Sequence, residues 1–65
     1  MNSKNKTTID TYRAVGIAEG WIENIDEDEI IEAWQYLHDS GMAYKLQGWF
    51  GRTAQSLIQA GIINK

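Results

Sequence analysis

An all-α fold, a small three-helix domain, is what this 65-residue sequence predicts. Three observations carry that prediction. Apolar residues recur at spacings of three and four through most of the chain, which is the helical period. Proline is absent. Two glycines, in "LHDSGM" and "LIQAGI", each follow a periodic apolar run, where a left-handed residue stops a helix. Helices are expected at about 8–22, 26–40 and 48–60, with a short helical turn over 42–47. Residues 1–6 are expected to form a flexible N-terminus ahead of a single helical domain over 7–65.

The first helix opens where Thr7 and Asp10 have the spacing of a capping box, a side chain taking a free amide and an acid reaching back. Tyr12, Val15, Ala18, Ile22 and Ile25 then form its apolar stripe. Gly16 and Gly20 each weaken it by about 1 kcal/mol relative to alanine, so an end or kink is expected between Gly20 and Asn24. The second helix has the clearest start. Asp26 is a good N-cap, Glu29 stands three positions on for the reciprocal bond, and Ile25 and Ile30 flank them as a hydrophobic staple. The acids at 26–29 also complement the positive end of the helix dipole. A cap explains all four, and a cation loop is not needed.

The second helix is expected to stop at Gly41, with Met42 folding back onto Leu37. Gly61 repeats the device, with Ile62 packing back on Leu57. Between the stops, Phe50, Ala54, Leu57 and Ile58 fall on one face of the third helix, while Gly48, Arg52, Gln55 and Gln59 lie opposite. Gly48 is expected to mark the joint before that helix and Gly51 a place where another helix comes close. The expected core adds Val15, Ala18, Ile22, Ile30, Trp34, Leu37 and Leu46.

A chain this short buries only about 60% of the surface its unfolded form exposes. Without cysteine it has no disulfide and no thiolate metal site, and His38 alone cannot build a zinc site. No cofactor or metal is expected. That leaves good helix packing, a homo-oligomer, or stability borrowed from a partner. No stretch reaches the roughly 18 apolar residues of a membrane span, and no charged leader precedes an apolar run, so a cytoplasmic location is expected. The net charge of −3 is unevenly spread. Residues 1–39 hold all nine acids against Lys4, Lys6 and Arg13, a balance of −6, and residues 40–65 hold Lys45, Arg52 and Lys65 with no acid, a balance of +3.

No catalytic motif is present, and His38 near the end of the second helix reads as a residue that favours the helix dipole rather than as a base, so no enzyme is expected. Trp49 lies on the flank of the third helix, next to Arg52, where helix phase leaves open whether it is exposed or folds over the turn to pack on Tyr44 or the first helix. Tryptophan, tyrosine and arginine are the types enriched at binding hot spots. Trp49 and Arg52, with Tyr44 and Gln55 around them, are therefore the expected partner-binding surface. The competing reading is a helix-turn-helix-like nucleic-acid-binding regulator, with Arg52, Gln55, Ser56 and Gln59 facing bases. Three cations in that half, against four acids opening the second helix, weigh against it.

From Glu29 onward the chain resembles a group of short proteins of unassigned function common in tailed-phage and prophage genomes. The resemblance lies in Trp34-Gln35-Tyr36-Leu37, Asp39-Ser40-Gly41, the Leu-Gln-Gly-x-aromatic-Gly-Arg block over Leu46 to Arg52, and Ala54 to Gly61. It implies a small accessory protein in the cytoplasm of an infected bacterium, binding and modulating a host or phage protein rather than performing catalysis.

Overall fold

The computed structural model describes residues 9–65 and, among them, three helices and no strand. They are α1 (Thr11–Glu19), α2 (Glu27–Asp39) and α3 (Gly48–Gln59), with one 3-10 turn at Met42–Tyr44 between α2 and α3. The all-α expectation holds, and the short turn falls inside the stretch expected for it. The frayed N-terminus and the Thr7 cap lie outside the described residues.

Helix α1 is shorter than expected because both of its ends are fixed inside the expected span. Asp10 is its N-cap, with Oδ1 accepting from the Arg13 amide at 2.9 Å. At the other end Trp21 N–H reaches the Gly16 carbonyl at 2.9 Å, and the chain leaves the helix at Gly20. The buried face also differs. Ala14 and Ile17 are in the core, Val15, Ala18 and Ile22 are half-buried around it, and Tyr12 is 73% exposed. Ala14 and Ala33, both fully buried, put small side chains where α1 packs on α2. A stripe of larger residues could not sit there without pushing the two helices apart.

Helix α2 begins at the expected place: Asp26 Oδ1 accepts from the Glu29 amide at 2.9 Å. The reciprocal half of the box is not made. Glu29 turns its carboxylate to the Arg13 guanidinium, 3.0 Å from Nε and in contact with Nη2, and so ties α1 to the first turn of α2. A charged partner is a stronger acceptor's choice than a backbone amide that water can serve. The Thr11 and Tyr36 hydroxyls, 2.9 Å apart, make a second link between these helices. Ala33, Trp34 and Leu37 are buried, whereas Ile30 is 40% exposed and is not core. Its helical phase is right, but it lies in the first turn of α2, and α3 meets α2 further along, at Trp34.

Gly41 follows α2 with φ 81°, in the left-handed region where glycine avoids a Cβ clash. The bond from Met42 N–H to the Leu37 carbonyl is replaced by a relay through Ser40. Its hydroxyl accepts from Met42 N–H at 3.3 Å and donates to Leu37 O at 3.4 Å. Met42 itself packs half-buried against the core. Leu46, expected inside, is 36% exposed, because the 3-10 turn presents Ala43 to the core instead.

Helix α3 buries Phe50 and Ala54 fully and Leu57 and Ile58 in part. It ends as expected at Gly61, with Ile62 N–H bonded to the Leu57 carbonyl at 2.9 Å and Gly61 N–H to Ile58 at 3.0 Å. Ile62, however, is 46% exposed and Ile63 is the residue that turns inward, at 3%. The side-chain amide of Gln35 then holds the next residue from both sides, donating to the Asn64 carbonyl at 2.9 Å and accepting from the Asn64 amide at 2.8 Å. Among the described residues no helix is long and apolar enough to cross a membrane.

Candidate functional site

Residues three apart on a helix are neighbours offset by about 60°, so Trp49, Arg52 and Gln55 follow one another around the outer face of α3. Tyr44 joins them from the 3-10 turn. It reaches α3 at Gly51, where an added Cβ would stand 3.2 Å from the Tyr44 ring and 3.5 Å from the Ala43 carbonyl. Gly51 is thus a close-approach position, as expected, but the neighbour is the turn rather than another helix. Gly48 opens α3, and the Arg52 guanidinium folds back over it, 3.0 Å from where its Cβ would be. The four expected residues therefore lie on one surface, with Arg52 and Gln55 between two aromatics.

Both aromatics are held. Gln55 Nε2 donates to the Tyr44 hydroxyl oxygen at 2.9 Å, and the same hydroxyl lies 2.7 Å from His38 Nδ1. The hydroxyl oxygen accepts from Gln55 and shares a second hydrogen bond with the imidazole nitrogen, so the Tyr44 ring is tethered from two sides. The His38 and Tyr44 rings meet edge to face, centroids 5.7 Å apart. His38 belongs to this site by its bond to Tyr44, beyond the helix-end role expected of it. The missing signal was the turn at Gly41, which brings a side chain six residues later back beside it.

Trp49 is half-buried. It stacks on Phe50 with centroids 4.0 Å apart and meets Trp34 edge to face at 6.2 Å, so it packs on α2 and its own helix rather than on Tyr44 or α1. Its indole Nε1 donates to Gln47 Oε1 at 3.2 Å. Arg52 is exposed, and the ion pair formed among the described residues is the one between Arg13 and Glu29, leaving Arg52 without an acidic partner there. Chemically the surface offers a guanidinium, amide donors and two aromatic edges, which suits recognition of another molecule. Among the described residues no three His, Cys, Asp or Glu side chains are grouped to hold a metal ion.

A family model described as a domain of unknown function, DUF7417, matches residues 17–65. That span is 49 of the 65 residues. The chain belongs to the DUF7417 family. The DUF7417 match begins at Ile17 within α1 and takes in α2, the 3-10 turn and α3, so it contains every residue of the surface described above. It also reaches further toward the N-terminus than the resemblance beginning at Glu29. No curated protein and no solved structure matches the chain.

Gly51→Ala separates the site from the fold of this DUF7417 domain. Alanine is better than glycine inside a helix by about 1 kcal/mol, while its Cβ must displace the tethered Tyr44 ring by a few tenths of an ångström. The expected outcome is a melting temperature within a few degrees of the parent, with the Tyr44 ring resonances clearly shifted in NMR spectra. Unmoved Tyr44 resonances would show that the two bonds on its hydroxyl do not fix the ring.

Proposed function

We propose that this is a small phage-encoded accessory protein that binds and modulates a host or phage macromolecule through the surface formed by Tyr44, Trp49, Arg52 and Gln55. One observation carries the reading: two partly exposed aromatics are fastened at their polar tips by Gln47, Gln55 and His38, with between them a guanidinium that has no acidic partner among the described residues. Side chains already fixed in the free protein lose little conformational entropy on binding, which is what an efficient hot spot requires. The resemblance to short tailed-phage and prophage proteins supports the setting, the cytoplasm of an infected bacterium, and a binding rather than a catalytic role.

The nucleic-acid reading has less support. The connection between α2 and α3 runs over residues 40–47, whereas a helix-turn-helix has a turn of three or four residues. The outward face of α3 also carries a single cation, Arg52.

The test is capture from a bacterial host lysate by the tagged protein, read by mass spectrometry, with Arg52→Ala and Trp49→Ala variants in parallel. Arg52→Ala is the cleaner variant, since an exposed substitution of this kind stays within about 0.5 kcal/mol of the parent. Trp49→Ala gives up packing on Phe50 and Trp34 and is expected to lower the melting temperature as well. A protein captured by the parent and lost by folded Arg52→Ala is the expected result. Equal capture by folded Arg52→Ala would remove the surface assignment. Retardation of a DNA duplex at low salt by the parent, absent in Arg52→Ala, would instead favour the regulator.

A further inference from the structure

The largest exposed apolar side chains outside the α3 surface lie along α1 and the loop after it. Tyr12 is 73% and Trp21 58% exposed, and their rings stand 6.1 Å apart, so they form one aromatic ledge rather than two scattered residues. Exposed acids flank Trp21 along the chain and follow it: Glu19 at the end of α1, Glu23 in the loop, Glu27 and Asp28 in the first turn of α2. None of the four takes part in an ion pair among the described residues, where Arg13 is already bound to Glu29. An apolar ledge of this kind on so small a protein marks a contact surface, and the acids on either side of Trp21 in the chain specify a basic partner with aromatic or aliphatic side chains.

The chain carries that chemistry itself. Arg52 and Lys45 are exposed, Leu46 is 36% and Tyr44 46% exposed beside them, and residues 40–65 contain no acid. The acids that open α2 and the basic pole beside its end lie well apart within one molecule. Glu27 and His38, which mark them on α2, are separated by eleven residues of helix, about 16 Å of rise.

We infer that a second copy of this chain occupies the ledge: the Tyr12–Trp21 pole of one molecule receives the Lys45–Arg52 pole of another. The inference rests on the α3 surface being a binding surface, as proposed above, and it makes self-association and partner capture compete for Arg52.

Sedimentation equilibrium of the full chain tests it. The weight-average mass is expected to rise above 7.4 kDa as concentration approaches about 1 mM, the scale of a weak contact. Raising salt from about 50 to about 500 mM, which shortens the screening length from about 14 to about 4 Å, is expected to weaken the association about tenfold. Trp21→Ala, Arg52→Glu and the Glu19→Lys, Glu23→Lys double variant are each expected to remain monomeric. All of these positions are exposed, so the variants keep the fold, as circular dichroism checks. Mixing Arg52→Glu with the double lysine variant is expected to restore association, because each reversed pole then faces its complement. A mass that levels off at twice the monomer also supports the inference, with two such contacts closing a two-fold pair.

A parent chain that stays at 7.4 kDa at the highest concentration in low salt overturns it. Association unaffected by Trp21→Ala or by charge reversal overturns it too, by placing the contact elsewhere. The proposed function fails separately: Arg52-dependent capture from lysate by monomeric Trp21→Ala sustains that reading whatever the sedimentation result.

Discussion

Phe50→Ala is expected to leave the domain largely unfolded at room temperature. Phe50 is 1% exposed and sits between two tryptophans, 6.0 Å from Trp34 and 4.0 Å from Trp49 by ring centroids. Truncating a buried phenylalanine costs about 3–5 kcal/mol, and each lost aromatic pair adds about 0.5–1.5 kcal/mol. A domain of this length has a total stability of only about 3–10 kcal/mol. Thermal and urea denaturation followed by circular dichroism at 222 nm measure the effect, with Phe50→Leu as the volume-conserving control. At about 4–8 °C per kcal/mol, the alanine variant melts at least about 12 °C below the parent if it folds at all. A fall of only a few degrees would mean that the three rings do not form the centre of the core. Because Trp49 rests on Phe50, the alanine variant is also expected to loosen the α3 surface, which makes it a poor probe of binding.

Ile63→Ala is expected to have the next largest effect, about 2–4 kcal/mol, although only Asn64 and Lys65 follow it in the described chain. It is 3% exposed, and its burial places Asn64 where Gln35 can pair with it in both directions. Gln35→Ala alone removes three exposed bonds, two to Asn64 and one to Asp39, and is expected to cost about 1 kcal/mol. The two substitutions act on one segment, since the Gln35 pair exists only while Ile63 holds the chain against α2. A double-mutant cycle should therefore show the pair costing less than the sum of the singles, by roughly 0.5–1 kcal/mol. Full additivity would mean that Gln35 holds the segment independently of Ile63.

These two residues also mark where the sequence stopped being legible. Phe50 was placed correctly because it begins an apolar stripe that continues through Ala54 to Leu57 and Ile58, and the helix phase of that stripe is unambiguous. Ile63 follows the last helix stop, where no period applies, and its direction is set by the bonds Gly61 and Ile62 make to Ile58 and Leu57. Ile30 shows the complementary error. Phase says which side of a helix a residue faces, and it carries no information on whether another element stands opposite. In α1 the large residues Tyr12 and Val15 pointed to one stripe, but close packing on α2 selected the small Ala14, which periodicity weighs lightly. The candidate surface was readable as residue types on one stretch of chain. That Tyr44 is pinned between His38 and Gln55 was not, because it depends on the path of a turn across which no repeating pattern runs.

The helix stops have a consequence for how quickly this chain finds its fold. At the ends of α1 and α3 a backbone amide just beyond the helix bonds to a carbonyl five residues earlier, and at α2 the Ser40 hydroxyl bridges an equally short interval. Each boundary is therefore decided by groups that are close along the chain, with no long loop to close first. Folding dominated by such short-range contacts proceeds in microseconds to milliseconds. The slow part of the search is reduced to docking three segments whose lengths are already set.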